Sequence, residues 1–371
     1  MKTGENRLKI FQIINSLQMG GAEKQALGLH QRYLERNHDS ILISLAGEER
    51  GWTGRGVFSL GFSTPYNPFI LPSLFDMKDE LDLREADIIH AHLFPSQLIT
   101  GLLLEAMPLR ARFVTTEHST ANRRRGASAG RLIDRWFYQR FCRIICVSQA
   151  AAFELAEWIP EVSDKLEVVF NGIDLSEFSR KSSSRYTNRK TILSVGRLTE
   201  AKNYHAAIEA FSLLRTRSTL GLQYCIAGGG KLESVLKNHA LELGVSGSVK
   251  FLGEISDISS LMKQADVFFM PSSREGFGIA AVEAMASGLP VVASSLPGIG
   301  DVVGRDQHCG ILVDPGSPSE MAEALQCLLE NDILSWRMGS SALKRAGTFS
   351  IEITTDKYLA LYENILKRES V

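Results

Sequence analysis

The sequence predicts an α/β protein of two doubly wound, parallel-sheet domains of similar size. Short apolar runs alternate with amphipathic segments along most of the chain, the pattern of successive strand–helix–strand units. The alternation breaks once, at the polar and aperiodic stretch SRKSSSRYTNRK over 179–190, and then restarts. A length of 371 residues also suits two domains better than one.

In the first domain (residues 1–180), strands are expected at 8–14, 40–45, 87–91, 112–116, 144–147 and 166–169. Each is a run of four to seven residues rich in β-branched or aromatic side chains, too short for a helix. Segments 22–37 and 97–107 carry the amphipathic pattern of intervening helices. No motif is recognised between residues 47 and 76. A linker is expected at 181–190, then a second domain at 191–348. Its strands are expected at 191–195, 222–227, 249–252, 267–270, 291–293 and 311–313. The tail, 349–371, contains a helix over 351–367, with Tyr358, Leu361, Tyr362 and Ile365 on one face. It packs on the second domain or crosses back to the first; periodicity does not choose.

Composition narrows the function classes. Hydrophobic residues make up 44% and charged residues 22%, as in a soluble globular protein. The formal net charge is −1, so no basic field points to nucleic acid. Five cysteines, an odd number without metal-type spacing, suit a reducing cytoplasm; Cys142 and Cys146 flank a strand and read as core. The N-terminus lacks the apolar core of a signal peptide, and the longest apolar runs, such as 98–107, cannot span a bilayer. A cytoplasmic location is expected.

Three strand-to-helix loops carry candidate chemistry. PSSREGFGIAAVE places Glu275 in a glycine-rich loop and Glu283 eight residues later, about one turn inside the next helix. Free N–H groups at that helix start favour an anion, leaving a carboxylate on either side of a bound phosphate. Such an arrangement suits a nucleotide sugar, with one group near the sugar and one near the ribose. SVGRLTEAKNY places Arg197 and Lys202 just beyond the first strand of the second domain, where two cations could neutralise a diphosphate; a solvated turn has the same composition. In the first domain, Gly20 and Gly21 open the helix after the first strand and allow close backbone approach. G-x-G-x-x-G and the P-loop pattern are absent, which disfavours a dehydrogenase or a P-loop enzyme.

MGGAEKQ, VFNGID, SVGRLTEAKN, AGGG, FLGEISD and PSSREGFGIAAVEAMASGLPVVAS, in this order, resemble family 4 of the glycosyltransferases, most strongly over 194–315. The resemblance implies the GT-B fold, two Rossmann-like domains facing across a cleft, and a retaining transfer from a nucleotide-diphosphate sugar, with a UDP-sugar expected. It implies that Glu275 contacts donor sugar hydroxyls and that Phe277, Gly278 and Ile279 offer backbone to donor and phosphate. Glu283 would hold the ribose, Arg197 and Lys202 the diphosphate, and Gly20 and Gly21 would lie beneath the β-phosphate. His118, in VTTEHS, matches a histidine near the reacting centre, although a lone histidine after a strand is more often structural. The base is expected near 228–230 and 250–253, and the residues say little about its identity.

His90 and His92 also end a strand, and neither is assigned a catalytic role. No Asp-x-Asp donor motif occurs; Asp301 and Asp314 lie at other strand ends without a partner spacing. Neither a metal nor another cofactor is therefore expected, with cations and helix dipoles in its place. No protein nucleophile is evident, which suits a front-face reaction. Asn122, Arg123, Arg124, Arg125 and Gly126, with Arg131, form a basic loop that reads equally as solvated or as a contact for a lipid pyrophosphate or anionic membrane. The resemblance further implies a lipid-linked acceptor in bacterial cell-surface polysaccharide synthesis and a peripheral position on the inner membrane face. The alternatives are a silent donor-binding scaffold and a nucleotide-sugar epimerase of the same architecture.

Overall fold

A computed structural model describes residues 7–18, 20–107, 109–120, 123–126, 128–178, 189–306 and 308–367, without the side chains of 123, 126 and 128. The chain divides into two compact units, 1–172 with 351–371, and 173–350. Both are α/β.

The first unit holds an eight-stranded sheet in the order β3-β4-β2-β1-β5-β6-β7-β8. The strands are β1 (Lys9–Ile14), β2 (Asp39–Ala46), β3 (Arg50–Gly54), β4 (Val57–Phe62), β5 (Ile88–His92), β6 (Arg112–Glu117), β7 (Arg143–Cys146) and β8 (Leu166–Val168). Its helices are α1 (Gly21–Glu35), α2 (Ile70–Asp76), α3 (Ser96–Ala106), α4 (Ser128–Tyr138) and α5 (Gln149–Trp158). All pairings are parallel except β3 with β4. The central strands β1 and β5 are almost wholly buried, which is why they read as continuous apolar runs. β3 and β4 were not anticipated. β3 (RGWTG) is an exposed edge with neither a β-branched run nor an apolar face, and only its antiparallel pairing to β4 makes it a strand.

The second unit holds six strands, β9 (Arg189–Val195), β10 (Gly221–Ala227), β11 (Val249–Gly253), β12 (Val267–Met270), β13 (Val291–Ser294) and β14 (Gly310–Val313). Their order is β11-β10-β9-β12-β13-β14, all parallel. Its helices are α6 (Tyr204–Arg217), α7 (Glu233–Glu242), α8 (Ile258–Gln264), α9 (Ile279–Ala286), α10 (Pro297–Val303), α11 (Pro318–Glu330) and α12 (Asp332–Ala346). Phe211, Tyr224, Phe269, Met321 and Leu325 lie in one apolar core on the sheet.

Two boundaries differ from the sequence reading. The division falls at Gly172–Ile173 rather than at 180, because Ile173 bridges to Ser350 and the Ser259 hydroxyl donates to the Glu177 carbonyl. Of the expected linker, 179–188 lies outside the described residues, and Arg189 and Lys190 already belong to β9. The last helix, α13 (Ile351–Lys367), belongs to the first unit. Tyr358, Tyr362 and Ile351 share a buried cluster with Leu29, Tyr33 and Val114. Arg32 pairs with Glu352 at 3.1 Å, and Arg36 pairs with Asp356. Apolar burial decides the placement, since exposed ion pairs contribute little.

Candidate active site

The second sheet reverses direction at β9: β10 lies on one side and β12 on the other. Loops leaving the carboxyl ends of strands at such a point splay apart and open a crevice for ligands. Arg197 and Lys202 leave β9 there, and Glu275 to Gly278 leave β12. Backbone and side chain stitch the two loops together. Ser273 N–H donates to the Ala201 carbonyl at 2.9 Å. Asn203 has a left-handed backbone (φ 54°), which Asn tolerates better than most residues, and its amide donates to the carbonyls of Pro271 and Pro315 at 3.1 and 2.9 Å.

Lys202 Nζ donates to Glu275 Oε2 at 2.5 Å, with side chains 24% and 18% exposed. Two of the sequence-predicted residues, 73 positions apart, are thus brought into direct contact. Ser272 Oγ stands 3.5 Å from the same oxygen. An ammonium has three donors, so one directed at Glu275 leaves two for a ligand. Arg197 is exposed at the start of its loop. The next residue, Leu198, donates its N–H to the Gly229 carbonyl at 2.8 Å, and Gly228 N–H donates to Gly253 at 2.7 Å. The expected base region, 228–230 and 250–253, therefore borders the Arg197 loop. Gly228 has φ +136°, and a Cβ there would sit 2.1 Å from the Gly196 carbonyl oxygen, so only glycine fits.

α9 begins at Gly278, whose φ of +94° turns the chain sharply, and no side chain caps the helix. Ala281 N–H donates back to the Gly278 carbonyl at 2.9 Å, so the N–H groups at the very start of the helix, from Gly278 to Ala280, are the ones placed to meet an anion. Phe277 is buried with its ring edge-on to Phe349, so this residue has only backbone to present; Ile279 is half-buried. Glu283 lies on α9 and is buried, only 4% exposed.

In the first unit, Gly20 and Gly21 start α1, but a Cβ at Gly20 would lie 2.2 Å from Glu23 Oε2. The Glu23 carboxylate thus folds over the glycine. Asn15, at the end of β1, donates to the Phe94 carbonyl at 2.7 Å and accepts from the Ser96 backbone and hydroxyl, tying the β1 loop to the β5 loop.

His118 follows β6 and is half-buried, and its Nε2 lies 3.3 Å from His92 Nδ1. Behind it stands a buried polar chain that sequence reading did not assemble. His92 Nε2 meets Gln12 Oε1 at 3.0 Å, and Gln12 Nε2 donates to the Ala26 carbonyl at 3.2 Å. His90 stacks on His92 with ring centroids 4.1 Å apart and is held by Tyr362 Oη at 2.6 Å and Thr116 Oγ1 at 2.7 Å. His90 is structural, and His92 does not stand alone but backs His118. Burial pushes His90 and His118 down to about 3, and lowers His92 too, so all three rings are neutral near pH 7.

The basic loop is not simply solvated. Residues 123–126 form a 3-10 turn, with Asn122 outside the described residues. Arg124 pairs with buried Asp134 at 2.6 Å and covers the Phe94 ring at 3.7 Å. Arg125 donates to the Thr120 carbonyl at 2.7 Å. These two cations serve internal contacts; Arg131 and Arg135 on α4 remain exposed. Among the described residues no cluster suits a metal ion, and no helix is long and apolar enough to cross a membrane.

The profile described as "Glycosyl transferases group 1" matches residues 176–345, and "Glycosyltransferase Family 4" matches 19–177. A glycosyltransferase of Methanocaldococcus jannaschii, itself uncharacterized, is 31% identical over 343 residues, covering 84% of this chain and 86% of the relative. A D-inositol 3-phosphate glycosyltransferase of Corynebacterium glutamicum is 29% identical, covering 77% and 74%. In three dimensions, an Anabaena protein solved in complex with UDP-glucose is similar, with a TM-score of 0.79 at 20% identity, over 96% of this chain and all of that one. The chain belongs to family 4 of the glycosyltransferases, and its two parallel-sheet, Rossmann-like units are those of the GT-B fold.

Proposed function

We propose that this glycosyltransferase moves a sugar from a nucleotide-diphosphate sugar, most simply a UDP-sugar, to an acceptor with retention of anomeric configuration and without a metal. The observation that carries the proposal is the meeting of Lys202 and Glu275 at the reversal point of the second sheet, beside the uncapped start of α9. A diphosphate there would receive the Lys202 ammonium, the Arg197 guanidinium and helix N–H groups. As the bond to the sugar breaks, negative charge grows on the leaving phosphate, and preorganised donors stabilise it most at that moment.

Glu275, an acceptor-only group, would take hydroxyls of the donor sugar, and Glu283 those of the ribose. Phe277, Gly278 and Ile279 would contribute backbone. In the first unit the reading gives Gly20 and Gly21 a phosphate contact and His118 a place at the reacting centre. The leaving phosphate itself would accept the acceptor's proton, so no protein nucleophile is required. The Anabaena structure with UDP-glucose supports the donor class. A lipid-linked acceptor, a role in cell-surface polysaccharide synthesis and attachment to the inner membrane face rest on the family resemblance.

The test is direct. Purified protein is screened by thermal shift against UDP-glucose, UDP-N-acetylglucosamine and GDP-mannose, since a ligand of the native state raises its melting temperature. The donor that binds is then followed by NMR for the anomer released or transferred. Early release of the donor's own anomer supports retention. An inverted product refutes it, interconversion of the sugar nucleotide with no acceptor marks an epimerase, and binding without turnover marks a scaffold.

A further inference from the structure

The buried chain behind His118 fixes which of its nitrogens carry a hydrogen and which do not. Gln12 is fully buried on β1, and its Nε2 lies 3.2 Å from the Ala26 carbonyl oxygen, a group that only accepts. The amide is thereby oriented, and its Oε1 faces His92 Nε2 at 3.0 Å. An amide oxygen cannot donate, so His92 carries its hydrogen on Nε2. In the neutral ring Nδ1 is then bare. His92 Nδ1 faces His118 Nε2 at 3.3 Å, so the hydrogen between them belongs to His118 Nε2. What remains on His118 is a lone pair at Nδ1.

The neighbouring histidine does not disturb this order. His90 is held on both ring nitrogens by hydroxyls, Tyr362 Oη at 2.6 Å and Thr116 Oγ1 at 2.7 Å, each able to donate or to accept, so it needs no hydrogen bond from His92. His90 thus stacks on His92 without exchanging a hydrogen bond with it.

We propose that Gln12 and His92 are positioning residues that hold His118 in its Nε2–H tautomer, so that its Nδ1 acts as a hydrogen-bond acceptor toward a hydroxyl of the bound ligand. This rests on the reading of His118 as a site residue. It also deepens that reading. An acceptor nitrogen can take a hydroxyl but cannot donate to a phosphate oxygen, so His118 selects a hydroxyl over the diphosphate of a nucleotide sugar. A histidine free to rotate or change tautomer would not.

The experiment is imidazole 15N–1H correlation NMR on the ligand-free protein at pH 7, followed by titration with UDP-glucose. Wild type is expected to show single Nε2–H tautomers for both His92 and His118; an Nδ1–H or averaged pattern at His118 overturns the proposal without any variant. Gln12→Met keeps the volume but removes the amide, and His118 should lose its single tautomer while the His90 signals stay in place. Gln12→Glu should retain the single tautomer, because a neutral carboxyl both donates to Ala26 and accepts from His92. An unchanged His118 pattern in folded Gln12→Met removes Gln12 from the mechanism. On titration, the His118 Nδ1 resonance should move as it accepts a hydroxyl. A fixed resonance alongside UDP-glucose-induced shifts in the second unit refutes His118 as a site residue while leaving the tautomer assignment standing.

Discussion

The two units present opposite chemistry at the carboxyl ends of their sheets. In the second, a charged pair, Lys202 with Glu275, sits among glycines whose backbone admits no side chain. In the first, neutral groups predominate: hydrogen bonds join Gln12, His92 and His118 in one set and His90, Tyr362 and Tyr33 in another, the two meet where His90 stacks on His92, and burial keeps the histidines uncharged. A charged loop binds and neutralises a charged group. A neutral chain fixes hydrogen positions instead, because each member must be donor where its neighbour is acceptor.

The largest effect is expected on the charged side. Lys202→Ala should lower kcat/KM about a hundredfold or more, as does loss of one preorganised donor to a developing anion, and Arg197→Ala should behave alike. Near-native turnover of either folded variant at saturating donor would remove the diphosphate role.

Next come the two carboxylates. Glu283→Ala should weaken the bare nucleoside diphosphate by about tenfold or more, the worth of charge-assisted hydrogen bonds to the ribose. Glu275→Ala should leave that affinity intact or raise it slightly, since Lys202 is released from its partner, yet reduce turnover of the full donor. Calorimetry decides between them, and equal losses would show that the pair is assigned wrongly.

A smaller effect tests the neutral side. Burial pushes fully buried His90 down to about 3 against an ordinary 6.5, so between these values the unfolded chain holds more protons. The stability carried by its neutral ring is fully present above about pH 6.5 and falls as the pH drops from 6.5 toward 3, by up to about 1.4 kcal/mol per pH unit. His90→Gln retains a donor and an acceptor but cannot titrate, and its stability should fall less steeply over this window. Parallel profiles for wild type and variant, from denaturant titrations, would mean that His90 is not held neutral. The smallest effect is none: activity should survive a strong chelator, and loss restored by magnesium or manganese would break the contrast by placing a metal beside Lys202.

The legibility of the two sites follows the same divide. PSSREGFGIAAVE and SVGRLTEAKN were readable because glycines and charges in a strand-to-helix loop stand at fixed local spacing, and the structure brings Lys202 and Glu275 together. Gln12, His90, His92 and Tyr362 were not assembled, because each is an ordinary residue for a buried strand or helix; Tyr362 lies 272 positions from His90. Arg124 and Arg125 were left open for a related reason. A run of arginines reads equally as a solvated loop or as an anion contact, and only the tertiary structure shows Asp134 and Phe94 against Arg124.

By itself the sequence determined what local order can encode: the alternation of strand and helix, the presence of two α/β units, the glycines at the strand-to-helix loops and the charges set among them. Tertiary structure decided what depends on distant partners. It made an edge strand of RGWTG by pairing it with β4, drew α13 into the first unit through buried tyrosines, and ended that unit at Gly172. It also joined Gln12, His92 and His118 into a chain with one hydrogen order. The reason is physical: periodicity and turn chemistry act over a few neighbouring residues, whereas the burial of apolar faces and the pairing of buried polar groups are satisfied only when segments far apart in sequence meet.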